Sequence, residues 1–232
     1  VKNIILGIII GLVIAGIIVY LYKPNVWRLY IDKNITTQYD KNDTKQRLNH
    51  RLANIDDFVV YPSKVTLIAI KNERKLELWG YANDKWHHIH NYSFTAFSGV
   101  LGPKLKEGDK QIPEGIYSIS YLNPNSIFHL SMKLNYPNEF DKKMAISDNR
   151  DNLGSDIMIH GKDRSIGCIP IGDSNIEELY MLVEKVGISN AQVIISPIDF
   201  RIQKQSPLKN NKIKWIDTLY DNIEKSLQEF SG

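Results

Sequence analysis

The chain has 232 residues, 43% of them hydrophobic and 24% charged, with a formal net charge of +3. That length suits one ordinary domain with short appendages, and its core needs neither disulfides nor a structural metal. Basic and acidic residues interleave, which leaves no nucleic-acid-binding footprint, and a single cysteine rules out an intrachain disulfide and zinc sites built on paired cysteines.

From Ile4 to Tyr22 there is no charged residue, and most positions are Ile, Leu, Val, Gly or Ala. As a helix rising ~1.5 Å per residue, this stretch nearly matches the ~30 Å hydrocarbon thickness of a bilayer. The chain continues Ile17-Ile-Val-Tyr20-Leu-Tyr22-Lys-Pro24 without a small-residue cleavage site. Residues 1–22 are therefore expected to be an uncleaved single-pass anchor with Tyr20 and Tyr22 at the interface. Lys2 is opposed by Lys23 and Arg28, so charge does not set the orientation. Residues 23–62 read as a tether and a short amphipathic helix. Asp43 followed by Gln46 resembles a capping box, and Leu48, Leu52 and Ile55 recur at helical spacing.

Residues 63–200 form the expected domain. Val65 to Ile70 and Lys75 to Trp79 read as strands joined by the polar turn Lys71 to Arg74. Trp86 to Phe94, Ile116 to Tyr121, Asp156 to His160 and Ala191 to Ser196 follow, punctuated at Gly99 to Pro103 and Pro113 to Gly115. The spacing predicts a mainly β, α+β domain of sheet-on-sheet or barrel-like form with flanking helices. One predicted helix opens on a capping box at Ser174 and Glu177, carries Leu179, Leu182, Val183 and Val186 on one face, and stops at Gly187. The extension 201–232 carries a second stripe, Ile216, Leu219, Tyr220, Ile223, Leu227 and Phe230, expected to dock on the domain.

The segment from Gly154 to Asp173 holds the residues suited to chemistry. A strand delivers His160, and Cys168 lies eight positions on, across a loop that starts at Gly161. A thiol needs a base or a cation to become thiolate near neutral pH, and an imidazole so placed can reach it. Gly167 removes bulk before the cysteine, and backbone N–H groups at Gly167 and Cys168 suit the oxygen of a tetrahedral intermediate. The alternative is a core cysteine beside a hydrogen-bonded histidine, and spacing alone does not choose.

Ile157-Met-Ile-His160-Gly161 followed by Ser165-x-Gly167-Cys168 resembles the motif of YkuD-type L,D-transpeptidases, His-x(n)-[Ser/Thr]-His-Gly-Cys. The shortened loop is similar to that of the YafK-like branch. Two further blocks carry the resemblance in the same order: Leu101-Gly-Pro-Lys104 through Gly108-Asp109 to Pro113-Glu-Gly115-Ile-Tyr117, and Leu134-Asn-Tyr136-Pro137-Asn138 to Asp141. The resemblance implies a β-sandwich-like catalytic domain in which Cys168 attacks a stem-peptide amide and His160 is the base. It further implies that the Gly161 carbonyl orients the imidazole, that Gly167 contributes to an oxyanion hole, and that Ser165 is a further oxyanion-hole or orienting residue. The chain departs from the motif at Ile166, where the family carries a second histidine.

Lys104, Tyr136 and Asn138 stand in the matching blocks as candidate groove residues for a stem-peptide carboxylate, with a turn lysine and a core-edge tyrosine as the plainer alternatives. Asp141 either pairs with a cation or holds its loop. His88 and His90 alternate onto one strand face without a third metal ligand, so no metal site is expected, and His129 is either a groove or a strand histidine. Asn123 to Asp141 is expected to be extended, with Tyr121, Tyr136 and Phe140 walling an acceptor groove. No cofactor motif is present, and acyl transfer needs none. The expected function is peptidoglycan L,D-transpeptidation through a cysteine acyl-enzyme. The expected partners are stem peptides and, through the amino-terminal helix, the inner membrane, with the domain facing the periplasm or cell wall. The alternatives are a hydrolase of the same fold and a non-catalytic wall-binding module, and the oligomeric state stays open.

Overall fold

A computed structural model describes residues 39–53, 55, 61–203 and 213–230. The expected anchor and most of the tether lie outside the described residues. Among the described residues no helix is long and apolar enough to cross a membrane.

The chain opens with helix α1 (Lys41–Leu52), whose amino end is capped by Asp40 accepting from the N–H groups of Asn42 and Asp43. The expected cap at Asp43 is thus displaced by three residues, because the aspartate ahead of Lys41 reaches both free donors. Strands β1 (Lys64–Ile70), β2 (Lys75–Ala82), β3 (Lys85–Ser93), β4 (Gly115–Ser126) and β5 (His129–Leu134) follow. Then come α2 (Glu139–Ser147), β6 (Met158–His160), β7 (Ile169–Pro170), α3 (Asp173–Val186), β8 (Ala191–Ser196) and α4 (Ile216–Leu227).

The strands form one eight-stranded sheet in the order β3-β2-β1-β8-β4-β5-β6-β7. The pairs β1–β8 and β6–β7 are parallel and the rest antiparallel. Of the sheet-on-sheet or barrel-like forms expected, the structure has one curled sheet with flanking helices, in keeping with the mainly β, α+β class. Residues Gly115 to Ser118 of β4 pair with β8, while Ile119 to Ser126 pair with β5 across two register shifts. Such bulges raise local twist and let one strand turn the corner.

Every residue of β1 after Lys64 is buried. Both faces of the centre are covered, so its sequence is apolar apart from Thr66 instead of alternating. One face, including Ile68, Ile70 and Ile194, packs under α4 and the segment Ile198 to Phe200. The stripe expected to dock does so: Ile216, Leu219, Tyr220, Ile223, Leu227 and Phe230 are all buried. Helix α3 covers β5 and β6 and carries α1 on its outer side. Its amino end has Gly172 as N-cap and no side-chain cap, so the capping box expected at Ser174 and Glu177 does not form. The segment expected to be extended is so in the β4–β5 hairpin as far as Leu134, whereas α2 begins at Glu139.

Candidate active site

Strand β6 has three residues, yet it is bonded on both sides, with His160 opposite Ser131 of β5 and Pro170 of β7. This pins His160 in the interior at 1% exposure. The chain leaves the strand at Gly161, where a Cβ would fall 2.5 Å from Asp173 Oδ1 and 2.8 Å from the Phe128 carbonyl. Only glycine fits there, because Asp173 Oδ1 accepts from the Lys162 N–H at 2.7 Å and fastens the loop to the start of α3.

The loop returns through Ser165, whose Oγ donates to the Cys168 carbonyl at 2.7 Å. The same oxygen lies 2.8 Å from Ser98 Oγ and accepts from the Gly167 N–H at 3.3 Å. Gly167 adopts φ +126, and a Cβ on it would meet the Gln111 carbonyl at 3.0 Å. Ser165 therefore clamps the loop that presents the cysteine. The Gly167 N–H, expected to face an oxyanion, is turned onto that clamp, whereas the Cys168 N–H has no hydrogen bond among the described residues.

His160 Nδ1 lies 2.6 Å from the Gly161 carbonyl. A carbonyl only accepts, so the proton of the neutral ring sits on Nδ1 and the lone pair on Nε2. Phe128, at the tip of the β4–β5 hairpin, stacks on the imidazole with centroids 4.4 Å apart and planes 29° apart. Burial pushes the His160 pKa down, with the Gly161 bond and the charge of Asp173 pulling the other way. Burial also pushes the Cys168 thiol up, against the Met158 backbone N–H, while the Asp156 charge pushes it further. Both shifts favour the uncharged forms, a thiol and a neutral imidazole. The thiol finds only a weak acceptor, the Asp156 carbonyl at 3.6 Å.

Cys168 and His160 line one cavity of about 540 Å³. Phe128, Ile157, Met158 and Ile166 make its apolar wall, and Ile166 is 77% exposed at the rim. Lys110 and Arg164 border it without an ion pair among the described residues, and Glu107 and Asp156 line it as well, Asp156 being paired with Lys133. Lys104 lines it too, but its ammonium is held by Asp109 at 2.6 Å and the Lys106 carbonyl at 2.9 Å. Burial alone would raise the Asp109 carboxyl; Lys104 and three backbone N–H groups hold it below its ordinary value.

The other two groove candidates are elsewhere. Tyr136 is buried, donating to the Leu153 carbonyl at 3.0 Å. Asn138 caps α2, with Oδ1 accepting from Asp141 N–H and its amide donating to the Ile116 carbonyl. Neither borders the cavity, and Phe140 packs on Trp215 instead. The polar and aromatic types that made them candidates serve a helix start and a core edge. His88 bonds Asn91 and His90 meets Arg51, and among the described residues no metal-ligand cluster forms. Sequence reasoning missed Phe128, Asp173 and Ser131. Ser131, across from His160, has a fully buried Oγ without a hydrogen-bond partner among the described residues. Nothing in the residue types marks them; the hairpin register brings Phe128 and Ser131 beside His160, and the start of α3 brings Asp173 to the loop after it.

The family profile of the YkuD L,D-transpeptidase catalytic domain matches residues 64–195. YafK of Escherichia coli (strain K12), a candidate L,D-transpeptidase by its name, is 30% identical over 175 residues, covering 71% of this chain and 68% of YafK. Among solved structures, the helical cell shape determining protein Pgp2 from Campylobacter jejuni is 21% identical at a TM-score of 0.48, over 66% of this chain and 56% of that one. Bd1075 of Bdellovibrio bacteriovorus is 20% identical at a TM-score of 0.43, over 72% of this chain and 55% of that one. The chain thus spans little more than half the length of these two proteins. It belongs to the L,D-transpeptidase catalytic-domain family, a membership that supports a function on peptidoglycan.

Proposed function

We propose that this family member is a cysteine acyltransferase on peptidoglycan stem peptides, with Cys168 as nucleophile and His160 as base. The observation that carries the reading is the shared cavity, in which Nδ1 of His160 is committed to the Gly161 carbonyl and Nε2 is left as acceptor. Nε2 takes the thiol proton as Sγ attacks an amide carbonyl, and the Cys168 N–H meets the developing oxyanion. The proton then passes to the departing amine, leaving a thioester. An incoming amine attacks the thioester, gives its proton back through His160, and frees the thiol. Lys110 and Arg164 are placed to meet a substrate carboxylate, and the apolar wall to exclude water from the thioester.

Because such a substrate lies outside the cytoplasm, residues 1–22 are proposed as an inner-membrane anchor, residues 63–200 as the catalytic domain facing the periplasm or wall, and 201–232 as its helical extension. A reporter fused after Gly232 is expected to be active only in its exported form, and cytoplasmic activity overturns this placement.

The decisive experiment incubates the purified chain with tetrapeptide muropeptides and an excess of amine acceptor, followed by mass spectrometry. A thioester adduct on Cys168 together with cross-linked or exchanged products supports transfer. Shortened peptides alone make the enzyme a hydrolase, and no adduct with no product removes the acyl-enzyme reading.

A further inference from the structure

Glu177 holds two different parts of the molecule with its two carboxylate oxygens. Oε2 accepts from Arg47 Nη2 at 2.8 Å and Thr44 Oγ1 at 3.1 Å, both on α1. Oε1 lies 2.7 Å from His129 Nε2. The contact is shielded, since Thr44 is fully buried and His129 is 6% exposed. Helix α1 itself lies outside the residues that match the family domain.

His129 follows directly on the residue that touches the catalytic ring. It has φ +74, a backbone region that non-glycine residues occupy only when their surroundings hold them there. The two-residue turn Ile127–Phe128 is held between Ser126 and His129. The Phe128 N–H donates to Ser126 Oγ at 3.1 Å, its carbonyl abuts Gly161, and its ring lies on His160. Arg47 and Arg51 also grip Glu178, which is 1% exposed, so α1 is bound to α3 at adjacent carboxylates.

We infer that Glu177 is a positioning residue for His160, acting through His129 and Phe128, and that helix α1 is part of the catalytic apparatus because it holds the other oxygen of that carboxylate. The stack fixes the plane of the imidazole, and with it the direction of Nε2. A base displaced by a fraction of an ångström loses proton-transfer efficiency without losing substrate binding. The inference rests on the His160–Cys168 reading above.

The test uses the full chain and two readouts: the rate of Cys168 alkylation by iodoacetamide across pH, and kcat and KM for turnover. Glu177→Ala is expected to lower kcat about tenfold with KM nearly unchanged. It should also slow alkylation in the pH range where His160→Ala slows it. Glu177→Gln, which keeps an oxygen for His129, should recover most of the loss, and Phe128→Leu should reproduce it. Should Glu177→Ala fail to fold, Thr44→Val with Arg47→Gln empties Oε2 while leaving Oε1 on His129, and is expected to show a smaller loss of the same kind; Arg47→Gln also gives up the bond to Glu178, which Arg51 still holds. An unchanged kcat and alkylation profile in folded protein, whatever the fall in Tm, makes Glu177 structural and overturns the inference. His160→Ala separates the two failures: if it does not alter alkylation, the pair itself is wrong, and if it does while the Glu177 variants do not, only the positioning role falls.

Discussion

Two buried polar constellations lie close together in this domain and are built on opposite principles. At the pair Lys71–Glu114, fully buried on both sides, the ammonium donates to the Gly102 and Ile112 carbonyls and to Glu114 Oε1, each at 2.8 Å. Glu114 accepts further from the Gly102 N–H at 2.7 Å and from the Tyr220 hydroxyl at 2.9 Å. Every group is saturated. At Cys168 and His160 the opposite holds: among the described residues the thiol has one weak acceptor, and His160 Nε2 and the Cys168 N–H have no hydrogen bond. Saturation makes Lys71–Glu114 a clamp joining the β1–β2 turn, the loop 99–114 and α4. Unsatisfied groups around a cavity are what a substrate can complete.

The largest effect that would break this contrast concerns turnover. Cys168→Ala is expected to abolish product while the melting temperature stays near that of the wild type, since the half-buried thiol contributes little to the core. His160→Ala should lose about 10²–10⁴-fold. A large loss of stability in Cys168→Ala with residual turnover would put the cysteine in the framework and dissolve the distinction.

The clamp should respond in the other currency. Lys71→Met leaves Glu114 buried without its cation and is expected to cost about 3–5 kcal/mol in urea unfolding. Adding Glu114→Gln removes the stranded charge and should return part of that loss, while alkylation of Cys168 per folded molecule stays at the wild-type rate. Equal losses in the single and double variants would mean that the pair's charge is not what the fold depends on.

The same contrast governs what could be seen in the sequence. The central strands were legible because burial on both faces writes continuous apolar runs, and α4 because its stripe at helical spacing meets a sheet face. Cys168 and His160 were legible through their spacing across a glycine-bounded loop. The blocks around Lys104, Glu114 and Asn138 were equally visible, but residue type alone did not separate a groove from a scaffold. Lys104 is consumed by Asp109, Glu114 by Lys71, and Asn138 by the start of α2. The capping box suggested by Ser174 and Glu177 was wrong for a related reason, because a glutamate that can reach back to its own helix can also reach Arg47 and His129. The choice at Glu177 depends on partners 48 to 133 positions away, which no local pattern encodes.

Asp141 lies between the two extremes and gives the smallest and most selective test. It accepts from the Asn138 N–H at 3.0 Å, closing the capping box of α2, and receives the Tyr117 hydroxyl only at 3.4 Å. Burial raises its carboxyl to about 6, with the Asn138 bond and the Tyr117 hydroxyl pulling it back. A folded-state pKa above the unfolded value means that the folded chain prefers the protonated acid. This contribution is fully present below the ordinary aspartate range and is lost as pH rises through about 6. The full span is on the order of 2–3 kcal/mol, since each pKa unit is worth ~1.4 kcal/mol. The stability of the wild type relative to Asp141→Asn should therefore fall between pH 4 and 6.5, as read by urea midpoints at each pH. The alkylation profile of Cys168 should not follow, because Asp141 does not border its cavity. Parallel stability curves would show that the Asn138 bond already compensates burial and that Asp141 belongs with the saturated clamp. An alkylation profile that tracks Asp141 would instead join it to the catalytic cavity and erase the boundary between the two regions on that side of the sheet.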